Sequence, residues 1–208
     1  MTAQAFGTPL TTPRRTAAGS RDRLLDAARV LFAEAGFDGF SMAEVALRAG
    51  ASRPAVYRMF PDRAALLAAV VNRDADDLVG RLYRALPAEA PLDSLIEQAL
   101  VVFVDFAAER RREYLVLFGQ AGRVHPEVAS LLQGLRARLA AFYVPAFRDA
   151  ALRAAIPQPS DAQARLTAFA IMSMCEGVMQ SWLEDDHPSS SDELVRLLKG
   201  MVMRSLQP

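Results

Sequence analysis

The chain has 208 residues, 52% of them hydrophobic, and no net charge at pH 7, so it has enough apolar material for a buried core and is not disordered throughout. Its lone cysteine, Cys175, excludes an internal disulfide, and no Cys or His spacing fits a zinc site, so we expect no metal. No apolar stretch is long enough to span a bilayer and no signal-peptide pattern occurs, so we expect a cytoplasmic protein without a membrane contact.

The N-terminal part of the sequence predicts an arm followed by short helices. Residues 1–19 are rich in Thr, Pro, Ala and Gly without an apolar period, which predicts a disordered arm. Residues 20–35 repeat apolar side chains at helical spacing, with Ser20 as the expected N-cap. Ser41 and Glu44 have the spacing of a capping box and predict a short second helix.

A glycine turn separates this helix from the next one. Gly50 can adopt the positive φ of a sharp turn, and Ser52 is the expected N-cap of a third helix with Pro54 in its first turn. That helix ends at Phe60, after which Asp62 caps a fourth helix. Two short helices joined in this way and packed on a preceding helix form a helix-turn-helix.

The third helix has one apolar face and one polar face. Val56 and Phe60 lie four residues apart and supply apolar anchors. Arg53, Tyr57 and Arg58 supply polar side chains with long reach. This division predicts that the helix packs on its neighbours and enters the major groove of DNA. The alternative is that the unit merely packs and that the arginines are solvated.

Beyond Pro91 the apolar pattern stays helical, and no segment alternates as a half-buried strand does. Pro145 predicts a kink in the longest of the later helices. The predicted fold is all-α with about nine helices: a three-helix helix-turn-helix domain over residues 20–65 and a larger helical domain over residues 66–208. The later helices are expected at residues 93–110, 112–119, 126–155, 161–184 and 191–206.

The stretch from Phe40 to Arg63, which reads FSMAEVA and then AGASRPAVYRMFPDR, resembles the signature of the TetR family of repressors. The turn, the caps, the Tyr-x-x-Phe pair and a basic residue opening the next helix occur together, and the resemblance spans about residues 20–70. Beyond that segment, the chain resembles the family only in its all-helical architecture. Nine arginines against six acidic residues in residues 1–63 agree with a DNA-facing segment.

By position, the resemblance implies contacts to double-stranded DNA. The helix that starts after Ser41 would hold a backbone phosphate, as would Arg63, where the family usually has lysine. Tyr57 would contact phosphate, sugar or base. Either Arg53 or Arg58 would read a guanine, and the sequence does not distinguish them. The full set of expected contacts is Ser41, Ser52, Arg53, Pro54, Ala55, Tyr57, Arg58 and Arg63.

The resemblance also implies a homodimer that holds a palindromic operator and releases it when a small effector binds. Residues 161–184 and 191–206 would pair with those of a second subunit, because a two-fold dimer sets its reading helices one DNA turn apart, about 34–36 Å. The alternative is that these helices close the core of the monomer. The fourth helix, residues 62–86, would tilt with the ligand and change the spacing of the reading helices.

The larger domain offers candidates for a cavity that holds a small, apolar effector. Methionines and aromatic rings suit apolar molecules of varied shape, although core packing explains each of these residues as well. Glu176 interrupts an apolar run, and its expected partner is an arginine of a neighbouring helix, with a cationic ligand as the alternative. The candidates are Phe103, Phe106, Tyr114, Phe118, Met172, Met174, Glu176, Met179 and Trp182.

The residues that enzymes use are poorly placed or missing from the sequence. His125 and His187 each adjoin a proline at an expected helix boundary, and Cys175 lies in an apolar helix that predicts a buried, inert thiol. No nucleophile elbow, phosphate loop or nucleotide-binding glycine motif occurs. We therefore predict a ligand-responsive transcription repressor without a cofactor. The alternatives are an enzyme and a DNA-binding protein without a ligand, and the effector, the operator and the direction of regulation stay open.

Overall fold

The computed structural model describes residues 17–87, 89–121, 125–153, 159–185 and 189–206. These residues form nine α-helices and a π-helical turn, Leu117–Ala121, and contain no strand. The prediction of an all-α fold is confirmed. The helices are α1 (Ala17–Ala35), α2 (Met42–Arg48), α3 (Arg53–Met59), α4 (Arg63–Ala85), α5 (Leu92–Glu109), α6 (Arg111–Val116), α7 (Pro126–Arg153), α8 (Asp161–Glu184) and α9 (Ser191–Ser205).

Side-chain caps set where the short helices begin. Ser41, Ser52 and Asp62 each accept a hydrogen bond from the backbone N–H three residues on, as the sequence predicts. The capping box is complete, because the Glu44 carboxylate accepts from the Ser41 backbone N–H at 2.7 Å. Gly50 turns the chain between α2 and α3 with a φ of 60°, a value that strains residues with a Cβ atom. These local features confirm the predicted helix-turn-helix.

The first helix is longer than predicted. α1 begins at Ala17 rather than at Ser20, so residues 17–19 of the expected arm are helical. Residues 17 and 18 are alanines, which have the highest helix propensity and so favour an earlier start. Residues 1–16, which make up the rest of the expected arm, lie outside the described part of the chain.

The regular helix after α5 is shorter than predicted. α6 ends at Val116, and the π-helical turn follows it where the sequence suggested a helix up to residue 119. Gly119 departs from helical geometry with a φ of −81° and a ψ of −127°.

α7 is a single helix that includes Pro145. The break predicted before α8 lies largely outside the described residues, which omit 154–158.

The head, which we define as α1 to α3, surrounds an apolar core shared with the start of α4. Full burial of a leucine or valine side chain contributes about 1.5–3 kcal/mol to stability. Leu117 of the π-helical turn and Val128 and Leu132 of α7 belong to the same core, so the rest of the chain completes it. Fully buried members of this core include Leu24, Leu25, Val45, Val56 and Leu66.

The body, which we define as α5 to α9, packs around α5. That helix lies along α9 and also contacts α4, α6, α7 and α8. α4 contacts α1 of the head and both α5 and α7 of the body, so it links the two parts. The domain boundary that we predicted between residues 65 and 66 falls inside α4. Among the described helices, none is both long and apolar enough to cross a bilayer.

Candidate functional site

α3 presents a polar face to solvent. Val56 is fully buried and Phe60 nearly so, and these two residues hold the helix on the head. Arg53, Tyr57 and Arg58 are exposed on the other side, Tyr57 by 53%. The two faces therefore lie as the sequence pattern predicts. Among the other expected DNA contacts, Ser41, Ser52 and Pro54 are exposed, and Ala55 and Arg63 are half-buried.

The N-terminus of α2 is already occupied by a carboxylate. Glu44 accepts hydrogen bonds from the Ser41 backbone N–H at 2.7 Å and from the Ser41 hydroxyl at 2.8 Å. These bonds lower the pKa of Glu44 and so favour its ionised form. A phosphate placed at Ser41 would therefore meet a negative charge beside the hydroxyl.

Arg63 is held inside the head and tied to the body. Its Nη2 donates to Asp38 at 2.8 Å, its Nη1 donates to the Phe40 carbonyl at 3.2 Å, and its guanidinium lies 4.8 Å from the Phe37 ring centroid. The other carboxylate oxygen of Asp38 lies 3.0 Å from Nε2 of His125, just before α7. Asp38 thus links an expected phosphate contact to the body.

The first cavity lies in the body and has a volume of about 110 Å³. α5, α7 and α8 supply nearly all of its wall, and Val202 of α9 completes it. Most of its lining is hydrocarbon, from side chains such as Ile96, Leu100, Phe147 and Ile171. A cavity of this composition accommodates apolar groups.

The second cavity lies between the head and the body and has a volume of about 80 Å³. Phe32 of α1 and several residues of α4 line it together with residues of α5, α6 and α7. Phe103, Leu139 and Glu176 line both cavities, so they form the wall between them. A molecule in the second cavity would touch α1, the helix against which α2 packs.

Most of the expected ligand contacts line a cavity. Phe103 and Glu176 line both, Met172 lines the first, and Phe106, Tyr114 and Phe118 line the second. Met174, Met179 and Trp182 line neither. Met179 is fully buried in the body core, Met174 packs against that core, and the Trp182 ring N–H donates to the Ser189 carbonyl at 2.8 Å.

Sequence reasoning missed several residues that line the cavities. Tyr143 and Phe147 of α7 line the first cavity, and Asp74 and Arg110 line the second. The aromatic spacing in α7 was a usable signal, because Tyr143 and Phe147 are four residues apart and share a helix face.

Glu176 is paired with an arginine, the stronger of the two expectations for it. Nε of Arg136 lies 3.1 Å and 2.9 Å from the two carboxylate oxygens, and Nη2 lies 2.5 Å from the second. Hydrogen bonding to Glu176 raises the pKa of Arg136. The exposed fractions of the two side chains are 23% for Arg136 and 12% for Glu176, so the pair is largely removed from water.

A loosely packed charge cluster joins the head to the body at the second cavity. Arg29 of α1 lies 3.8 Å from both Asp74 and Glu113, and Nε of Arg110 lies 3.9 Å from Asp74. Nε of Arg29 and Nε of Arg110 are buried without a hydrogen-bond partner. Burial raises the pKa of Asp74, although the nearby guanidinium groups oppose this effect.

The Cys175 thiol has low reactivity. Burial raises the pKa of Cys175 to about 11, so its thiol stays protonated and weakly nucleophilic at neutral pH. Within the part of the chain that the structure describes, no group of three or more His, Cys, Asp or Glu side chains could hold a metal ion.

An exposed helix-turn-helix on an α-helical body with internal cavities is typical of DNA-binding transcription regulators. The family model described as "Bacterial regulatory proteins, tetR family" matches residues 24–70, and "Tetracyclin repressor-like, C-terminal domain" matches residues 90–206. The chain therefore belongs to the TetR family of bacterial regulators. It is a transcription regulator and not an enzyme.

Relatives from mycobacteria match most of the chain. The HTH-type transcriptional activator FasR of Mycolicibacterium smegmatis is 28% identical over 176 residues, which cover 84% of this chain and 77% of that protein. The HTH-type transcriptional regulator AlkX of Mycobacterium tuberculosis is 30% identical over 188 residues, which cover 88% of this chain and 85% of that protein.

Solved structures share the fold. A TetR-like regulator from Rhodococcus sp. RHA1 has a TM-score of 0.68 at 25% identity and covers 93% of this chain and 98% of its own. The regulator FadR from Bacillus subtilis, solved in complex with stearoyl-CoA, has a TM-score of 0.77 at 13% identity and covers 89% of this chain and 99% of its own.

Proposed function

We propose that the protein is a repressor that binds a palindromic operator as a homodimer in the cytoplasm and releases it when a small, largely apolar effector binds. The second cavity supports this proposal, because Phe32 of α1 lines it together with Phe103 and Phe118 of the body. A ligand there would contact the head directly. It would shift the protein toward a released state only as far as it prefers that state, typically by about 1–3 kcal/mol.

The exposed face of α3 supports DNA reading. Arg53, Tyr57 and Arg58 are free of the head core, while Val56 fixes the helix from behind. We propose that one of the two arginines reads a guanine and that Tyr57 and Arg63 hold the DNA backbone. Ser52, Pro54 and Ala55 complete the proposed contact surface. Ser41 belongs to it only as a prediction from the sequence, because the Glu44 carboxylate bonded to it disfavours a phosphate there.

Exposed apolar side chains on α8 and α9 support the homodimer. Leu166 is 69% exposed, Phe169 52% and Leu197 53%. Apolar side chains left exposed in a single chain are candidates for burial by another molecule. A second copy of the chain, seated on α8 and α9, would cover them and give the two-fold symmetry that a palindromic operator requires.

A transcription activator is the second candidate, because the relative FasR is named an activator. The two candidates differ in a reporter assay. A reporter gene behind the operator should be expressed more strongly when the gene for this regulator is deleted, if the protein is a repressor. It should be expressed more weakly if the protein is an activator.

The function is tested by selecting DNA sequences from a random pool with the purified protein. A repressor of the proposed kind should enrich an inverted repeat whose half-sites are about one helical turn apart. Recovery of no preferred sequence by a folded protein, even in dilute salt, would falsify sequence-specific regulation.

Substitutions in α3 and α4 should separate backbone contacts from base contacts. Tyr57→Ala or Arg63→Ala should weaken binding to operator and to scrambled DNA alike, and loss of the Arg63 charge should lower the slope of affinity against salt by about one. If Arg53 or Arg58 reads a guanine, its replacement by alanine should remove about 1–3 kcal/mol of discrimination at one base pair. Fluorescence anisotropy on both DNAs measures this, and an equal loss on both for each arginine contradicts base reading.

Asp38 should restrain DNA binding, because its carboxylate holds Arg63. Asp38→Asn should raise affinity for any DNA about two- to fivefold, the range expected from an exposed ion pair. Glu34→Gln is the matched control, since Glu34 pairs with Arg48 at 3.1 Å elsewhere in the head. Unchanged affinity of the Asp38 variant in anisotropy titrations would show that Arg63 does not contact the phosphate backbone.

A further inference from the structure

We propose that the effector is a linear amphiphile with an uncharged polar end, which rests on the ligand response proposed above. The molecule lies across both cavities, with its hydrocarbon tail in the first and its polar end in the second. A primary alcohol is the simplest compound of this class, because its hydroxyl both donates and accepts a hydrogen bond.

The wall between the cavities is thin and partly movable. It consists of Phe103, Leu139 and Glu176, which line both spaces. The bonds to Arg136 fix Glu176 in place. The phenyl and isobutyl side chains of the other two residues can change rotamer without breaking a hydrogen bond. A narrow chain can therefore pass where a broad, rigid molecule cannot.

The first cavity suits a hydrocarbon tail. Apart from Tyr143, Met172, Cys175 and Glu176, its lining consists of aliphatic and phenyl side chains. The Cys175 thiol stays protonated because burial raises its pKa to about 11, and Arg136 neutralises Glu176. A charged group in this space would lose its hydration without gaining a counter-ion.

The second cavity supplies both a donor and an acceptor for the polar end. Nε of Arg110 is buried without a hydrogen-bond partner, 3.9 Å from Asp74. The two guanidinium groups that face that carboxylate, those of Arg29 and Arg110, lie at 3.8 and 3.9 Å, beyond hydrogen-bond distance. A hydroxyl group between these atoms would accept from Arg110 and donate to Asp74.

The charges around this position are balanced, which argues for an uncharged ligand. Arg29 and Arg110 lie 3.8 to 3.9 Å from Asp74 or Glu113, and Arg110 also pairs with Asp77 at 2.6 Å and with Glu109 at 3.1 Å, so each charged group here already has a counter-charge. A carboxylate or an ammonium group would leave one charge uncompensated in a place that is largely removed from water.

The same geometry links chain length to DNA release. Phe32 and Arg29 belong to α1, and both meet the second cavity or its charge cluster. A short alcohol fills the first cavity and leaves α1 untouched. A longer alcohol reaches the cluster and disturbs the contact between head and body.

The test titrates the full-length protein with hexanol, decanol and tetradecanol, and with decanoate and decylamine as charged counterparts of decanol. Calorimetry measures ligand binding, and anisotropy of labelled operator measures release. Decanol should bind about tenfold more tightly than either charged counterpart. Hexanol should bind without releasing DNA, whereas the longer alcohols should release it.

A charge substitution locates the polar end. Asp74→Asn removes a carboxylate that faces both Arg29 and Arg110, so decanoate should gain about tenfold in affinity relative to decanol. Asp76→Asn is the matched control, because Asp76 is an exposed neighbour that pairs with Arg138 and lies outside both linings. An equal response of the two variants would place the polar end elsewhere and overturn the assignment.

The wild-type titrations can also overturn the proposal. Charged counterparts that bind as tightly as decanol contradict an uncharged end, and release by hexanol contradicts a ligand that spans both cavities. If no alcohol binds a protein that holds its operator, the ligand class is wrong and operator binding stands. If the protein holds no DNA, the proposed function fails, and calorimetry still decides the ligand class.

Discussion

Replacing both Leu166 and Phe169 by glutamate is expected to divide the protein into monomers and to lower operator affinity by about a hundredfold or more. Both side chains lie on α8 and are exposed in the single chain, by 69% and 52%. In the proposed dimer they are covered, so the introduced carboxylates would be buried in the interface without counter-charges. A monomer holds one reading helix and loses the second half-site.

Sedimentation velocity reports the mass, and anisotropy with operator DNA reports the affinity. Leu152→Glu is the matched control, because Leu152 is 60% exposed on α7, outside the proposed interface. The double variant should remain folded, with the thermal stability of an isolated subunit. A dimer that persists in the double variant would place the interface on another surface.

Glu176→Leu should lower the free energy of unfolding by about 3 kcal/mol, because it leaves the guanidinium of Arg136 largely buried without its counter-charge. For a chain of this length, that loss corresponds to a decrease in Tm of roughly 6–12 °C. Removal of both charges, in Glu176→Leu with Arg136→Leu, should recover most of the stability, since the remaining groups are apolar.

Urea denaturation followed by circular dichroism measures the three proteins. Glu97→Gln is the control, because the Glu97 pair with Lys199 is 53% exposed on its acidic side and should contribute less than about 1 kcal/mol. If the single variant is as stable as the double variant, the unpaired guanidinium has reached water, and the predicted cost of leaving it without a counter-charge is contradicted.

The head was predictable from sequence because its structure depends on short-range rules. The caps at Ser41, Ser52 and Asp62, and the positive φ of Gly50, each follow from a residue type and its near neighbours. The start of α1 was not predicted, because a favourable cap at Ser20 was preferred over the helix propensity of the preceding alanines.

The cavities were only partly predictable because they depend on contacts between distant helices. Met172 and Met179 are the same residue type on the same helix, yet Met172 lines the first cavity and Met179 is fully buried in the core. Which of the two methionines reaches the cavity depends on where α7 crosses α8. The apolar periodicity of α8 alone carries no information about that crossing point. The charge cluster was missed for the same reason, since Arg29, Asp74 and Glu113 come from three separate helices.

The incomplete head core has a consequence for engineering. Chimeric biosensors are made by grafting the reading module of one regulator onto the sensor module of another. Here a graft that stops after α4 would lack Leu117, Val128 and Leu132. The apolar surface of the head that these residues cover would then be exposed to solvent. A graft must therefore keep these positions apolar in the new host, so compatibility between the two modules depends on the π-helical turn and the first turns of α7 as well as on the junction at α4.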